Sequence, residues 1–227
     1  MNWILVVWPM VVASAATLAF VHFCIWHQNR AAHEQAWFAV AAVSVAVLGA
    51  MELQVMHAAD VGTYIRWHFV GHVAAGSTLV SLVWLFRVQF KVGPRWVPWA
   101  FTAIRGALII VSAMLPFGIN FRDITGLSTV VFGGASIVVP DIVPWQWSRV
   151  PEVITLLGIG YMAACVVTAW RRGRRRSFAP ALSIMVFLCY ALANTILINT
   201  GVMQIPYMLS LGFLLVILPI GYGLSAD

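Results

Sequence analysis

His68 and His72 stand four residues apart in "MHAADVGTYIRWHFVGH", residues 56–72, the spacing that places two imidazoles on one face of a helix. Tyr64 continues that stripe one turn earlier, and Glu52 lies in the apolar stretch before it. Two imidazoles and a carboxylate could ligate zinc or iron. The same groups could instead hold a ligand through hydrogen bonds. The pair lacks the intervening glutamate of a catalytic zinc helix, so no cofactor is predicted. A membrane metal-dependent enzyme built on His68, His72 and Glu52, with zinc or iron, stands as the alternative. All six histidines lie in the first 72 residues, so helices four to seven supply none, which counts against a bis-histidine haem held between facing helices. The single lysine, Lys91, falls in a loop, so the Schiff-base lysine of a retinal protein is missing from the last span.

These residues matter because of where they sit. The chain of 227 residues is 62% hydrophobic and only 9% charged, with mean hydropathy +0.93, whereas a soluble globule needs about 25% charged residues. It reads as a membrane protein. Apolar runs near 3–26, 36–58, 64–88, 96–116, 151–170, 179–201 and 205–224 are long enough to cross a bilayer, giving an all-α bundle of seven transmembrane helices as a single domain over 1–227. The apolar start lacks a preceding Lys or Arg and runs on to Trp26, so it is the first span rather than a signal peptide. Cys24, Cys165 and Cys189 lie inside apolar segments and read as buried fillers.

Charge sets the orientation. Arg30, Arg87, Lys91, Arg95, Arg171, Arg172, Arg174, Arg175 and Arg176 fall on one side, against Arg66, Arg122 and Arg149 on the other. The positive-inside rule puts the N-terminus outside and the C-terminus in the cytoplasm. "RRGRRR", residues 171–176, directly follows a span and reads as a topology anchor on anionic lipid, with no nucleic-acid partner. The long connection 117–150 contains two β-branched runs around Gly133-Gly134, which predicts a short β-hairpin on the outer face between helices four and five.

Depth then ranks the polar residues, since ionisable groups in hydrocarbon usually mark a site. Glu52 lies ~9 Å and His72 ~12 Å below the outer ends of their helices at the α-helical rise. Small residues Ala42, Ala46 and Ala50 on helix two, and Gly71 and Ala75 on helix three, predict close approach of the two, and so a bond between Glu52 and His72. Asn194, Thr195 and Asn199 of helix six close the same cavity. The candidate ligand-binding set is Glu52, Tyr64, His68, His72, Asn194, Thr195 and Asn199. Arg105, the other deep charge, is expected to pair with a carbonyl or to snorkel. His57, Asp60, Arg66 and Trp67 lie at the interface, where polar residues need no further purpose. In helix seven, Pro219 removes a backbone bond and Gly221 and Gly223 loosen the turn beyond it, which makes these three the candidate signal relay.

"VHFCIW" (21–26), "MELQVM" (51–56), "NFRDITGL" (120–127), "PW" (144–145), "AWRRGRRR" (169–176) and "IPYMLSLGFLLVILPIGYGLS" (205–225) occur in an order that resembles the N-terminal seven-helix region of some proteobacterial sensor histidine kinases, which precedes PAS and kinase modules. The resemblance implies a non-catalytic sensor of a small or lipophilic signal in the bacterial inner membrane. Its partners would be membrane lipids and a cytoplasmic kinase or other transmitter, in cis or in trans, with a homodimer or larger complex possible. It carries over no binding residue. The chain ends at Asp227 without a transmitter, which suggests an excised sensor region or a stand-alone relative. A structural or assembly subunit of a membrane complex is a further alternative.

Overall fold

The computed structural model describes residues 3–173, 178–213 and 216. Among them are six helices long and apolar enough to cross a membrane, and the chain is a multi-pass membrane protein. They are α1 (Ile4–Gln28), α2 (His33–Met56), α3 (Val61–Phe90), α4 (Trp96–Met114), α5 (Arg149–Arg171) and α6 (Phe178–Asn199). A four-residue helix, α7 (Leu209–Gly212), follows. The hairpin, β1 (Phe121–Phe132) and β2 (Ala135–Pro144), lies between α4 and α5 as expected.

The order of packing follows the order of the chain. Helix α2 runs between α1 and α3, and its inward face carries Ala41, Ala42, Val45 and Leu48, all buried. Helices α1 and α4 instead present large apolar side chains outward, such as Met10, Phe20, Ile110 and Met114, a surface suited to lipid. The α2–α3 seam is tight at Gly71, where an added Cβ would fall 2.0 Å from Met51 Cε. The small-residue stripe of α2 is phased differently from the expectation. Ala42 is buried but Ala50 is exposed, and Gly49 beside it faces inward against Ser210. A 3.6-residue helix drifts off a strict four-residue repeat, which accounts for the slip.

Helix α3 starts three residues earlier than the apolar run because Asp60 caps it, accepting from the Thr63 amide at 2.8 Å and the Thr63 hydroxyl at 2.7 Å. The hairpin turns on Gly133 and Gly134 at φ 57° and 77°, a two-residue turn that needs left-handed residues at both positions. It is longer than a local hairpin. It folds back over the ends of α1, α2 and α3, with Phe121 and Ile124 packed by Tyr64, Val55 and Ala58, and Ala135, Ile137 and Val139 packed by Ile4, Trp8 and Met56.

The expected seventh helix requires a correction at its start. Residues 203–208 are not helical, and helix begins only at Leu209. Pro206 disfavours helix in the residue before it, and the segment is held by side chains instead. Tyr207 Oη donates to Asn199 Oδ1 at 2.7 Å, and the Met208 amide to Asn194 Oδ1 at 3.3 Å. Pro219, Gly221, Gly223 and Arg174–Arg176 lie outside the described residues.

Candidate functional site

Two polar centres occupy the hairpin end of the bundle, and they are separate. The first is built on Glu52, which is fully buried. Its Oε2 accepts from Trp8 Nε1 at 2.9 Å and from the Ser210 hydroxyl, and its Oε1 accepts from the Ser210 amide at 3.0 Å. The carboxylate thus ties α1, α2 and α7 together. It does not bond to His72, contrary to the sequence expectation. Equal depth fixes height along the bundle but not azimuth, and Glu52 faces α1 while its neighbour Met51 faces α3 and enters the seam at Gly71. Among the described residues no three His, Cys, Asp or Glu side chains come together to hold a metal, and Glu52 in particular does not join His68 and His72.

The second centre is a cavity of about 110 Å³ lined by α2, α3, α4, α5, α6 and the segment leading into α7. Its walls are largely apolar, with Leu48, Met51, Leu79, Leu188 and Leu192 among them. Polar groups enter from several elements. His68 and His72 come from α3, Arg105 from α4, Glu152 and Thr155 from α5, Thr195 and Asn199 from α6, and Asn120 and Tyr207 from connecting segments.

Aromatic packing fixes His68. Its ring stacks on Tyr64 with 11° between planes and meets Phe121 and Tyr207 at centroid distances of 5.0 and 5.5 Å. Asn120 Nδ2 donates to its Nε2 at 3.1 Å. A neutral ring that accepts at Nε2 carries its proton on Nδ1, and Nδ1 is buried with no partner among the described residues. Glu152, Asn199 and Tyr207 form a chain in the same wall: Asn199 Nδ2 donates to Glu152 Oε1 at 3.2 Å and accepts from Tyr207 through Oδ1. Arg105, at 5% exposure, donates through Nη2 to the Pro151 carbonyl at 3.1 Å and to the Thr155 hydroxyl, and lies 5.5 Å over the Phe101 ring. Its Nε is buried without a partner among the described residues.

Of the sequence candidates, His68, His72, Thr195 and Asn199 line this cavity together. Tyr64 is behind His68 as a stacking surface, and Asn194 is turned to the Met208 amide. Arg105 does pair with a carbonyl, one of its two expected fates, and is at the same time a wall of the cavity. Sequence reasoning missed Asn120, Glu152, Thr155 and Tyr207. Glu152 carried a signal, being an acidic residue in the first turn of a membrane helix, whereas Asn120 and Tyr207 reach the site only through connections whose course no periodicity predicts. The interfacial residues behave as plain surface. His57 Nδ1 contacts the Leu53 carbonyl at 2.9 Å, and Arg66 donates to Thr63 Oγ1 at 3.2 Å. Hydrogen bonds from the Thr63 side chain and amide hold the exposed Asp60 carboxyl below its ordinary pKa.

No protein-family model, no curated protein and no solved structure matches the chain. The resemblance to kinase sensor regions therefore rests on the quoted motifs alone.

Proposed function

We propose that the chain is a membrane sensor whose cavity receives a small, largely apolar molecule and whose α7 segment carries the response onward. One observation carries the reading: Tyr207 and Leu209, at the entry to α7, are part of the cavity wall, so an occupant touches the segment that leads to the C-terminus. A ligand that binds one placement of that segment better than another shifts the population between them. Pro219, Gly221 and Gly223 are the proposed relay beyond it. Arg66, Arg122 and Arg149 belong to the hairpin end, while Arg30, Arg87, Lys91 and Arg95 belong to the opposite end. This asymmetry supports a hairpin facing outside and a cytoplasmic C-terminus in a bacterial inner membrane, where a kinase or other transmitter in cis or in trans would read the segment.

Residues 1–227 grafted in helical phase onto a transmitter kinase give the test. Ala75 lines the cavity, and Ala75→Leu should fill part of it and change both basal kinase output and its response to membrane extracts. Output and response identical to the parent, in a variant that inserts normally, would refute the sensor reading.

A further inference from the structure

We infer that the cavity selects an alkyl carboxylate: an apolar chain against the leucines and a single anionic head held by Arg105 and His68. This deepens the sensor reading and rests on it. The argument starts from charge. Arg105 is buried in the membrane-spanning part of the bundle, where a cation without an anionic partner is costly, yet among the described residues every group on its guanidinium is neutral: the Pro151 carbonyl, the Thr155 hydroxyl and the Phe101 ring. Neither carboxylate of the spanning helices at this end bonds to Arg105 among the described residues: Glu52 is taken by Trp8 and Ser210, and Glu152, in the same cavity wall, accepts from Asn199.

The hydrogen-bond inventory points the same way. Among the described residues two that line the cavity have a buried ring or guanidinium nitrogen without a partner, Arg105 Nε and His68 Nδ1, and both carry protons, so what is missing is an acceptor. His72, one turn from His68 on α3, lines the same cavity. A carboxylate brings two acceptor oxygens and one negative charge, which matches two free donors and a guanidinium with no ion-pair partner among the described residues. A phosphate monoester would bring a second charge that nothing in the wall offsets. The rest of the wall, with Leu48, Leu79, Leu188 and Leu192, suits a hydrocarbon chain.

Hexanoate, hexanol and hexylamine share a tail and differ in the head. Each is titrated at neutral pH into the full chain in nanodiscs of zwitterionic lipid, with occupancy read from the rise in unfolding temperature. Ala191→Phe, which intrudes on the cavity wall, reports whether binding is there. Hexanoate is expected to stabilise the parent at concentrations at least about tenfold below hexanol, a gap expected of a charge-assisted pair. Arg105→Gln should bring hexanoate to the level of hexanol. Equal affinities for hexanoate and hexanol in the parent, or a preference for hexylamine, overturn the carboxylate while the cavity stands. Stabilisation insensitive to Ala191→Phe, or none from any of the three, overturns both the carboxylate and the cavity as the sensor's ligand site. Because the head-group series is run on the parent, the outcome does not depend on Arg105→Gln folding.

Discussion

Glu52 and Arg105 are both charged residues buried in the hairpin half of the same bundle, at 0% and 5% exposure, and their surroundings differ completely. Glu52 is closed: both oxygens accept, from Trp8 and Ser210, and it is not part of the cavity wall. Arg105 is open, with a nitrogen to spare and a cavity at its side. Burial of an ionisable group is thus not what marks a site here. A group whose hydrogen-bonding capacity is filled by its own chain is a strut between helices, while one with capacity left over beside a void has room for something else.

The contrast is sharpest in what removal should do. Glu52→Leu takes away the acceptor for the Trp8 indole, the Ser210 amide and the Ser210 hydroxyl, and a buried donor left unpaired costs about 1–3 kcal/mol. A loss of about 3 kcal/mol or more is expected, read from SDS-induced unfolding in mixed micelles, together with release of α7 from α2 detectable between labels on the two helices. A loss below about 1 kcal/mol would mean that Glu52 is no strut, and would undo the distinction from its side.

Arg105→Met should behave in the opposite way. The substitution removes a desolvated charge and strands no acceptor, because the Pro151 carbonyl keeps its bond from Thr155 Oγ1 at 2.8 Å. Replacement of a buried charge by an apolar side chain of similar length is often neutral or stabilising, and stability within about 1 kcal/mol of the parent is expected in the same assay. A loss comparable to that of Glu52→Leu would make Arg105 a second strut and would deprive the cavity of its cationic anchor.

Why the sequence separated these centres poorly is a matter of geometry. Six of the expected spans are present because length and apolarity suffice to identify a membrane helix, and Gly133-Gly134 announced its hairpin because only left-handed residues fit a two-residue turn. Depth was legible as well, since helical rise converts residue count into height. Azimuth was not. Glu52 and Met51 are adjacent in sequence but are turned to α1 and α3 respectively, and a bundle with nearly uniform apolarity offers no moment to tell one face from another. That is why Glu52 was expected beside His72, and why Arg105 and Glu152 were not placed in the cavity with it. Loops carried the rest: Asn120 and Tyr207 arrive on segments with no period, and the unwinding of 203–208 at Pro206 is set by Asn194 and Asn199, side chains of another helix.

Asp60 supplies the third case and the smallest effect, a polar residue that is satisfied but exposed. It caps α3 from outside the span, and the bonds it accepts are all from its own first turn. The hydrogen bonds from Thr63 favour the ionised carboxyl and hold its folded pKa below the ordinary value, which is near 3.9 in an unfolded chain. A depressed folded pKa contributes stability that is present above the unfolded value and is lost as pH falls through the folded one. Acidification should therefore loosen the first turn of α3, seen as faster exchange of the Thr63 amide than in Asp60→Asn, whose side chain caps comparably without titrating. The loosening should end at Tyr64, which is buried and stacked on His68. If parent and Asp60→Asn show the same pH dependence at Thr63, the cap owes nothing to ionisation. If loosening instead reaches His68, the interface and the cavity are one cooperative unit, and the separation drawn between exposed and buried polar groups fails at this end of α3.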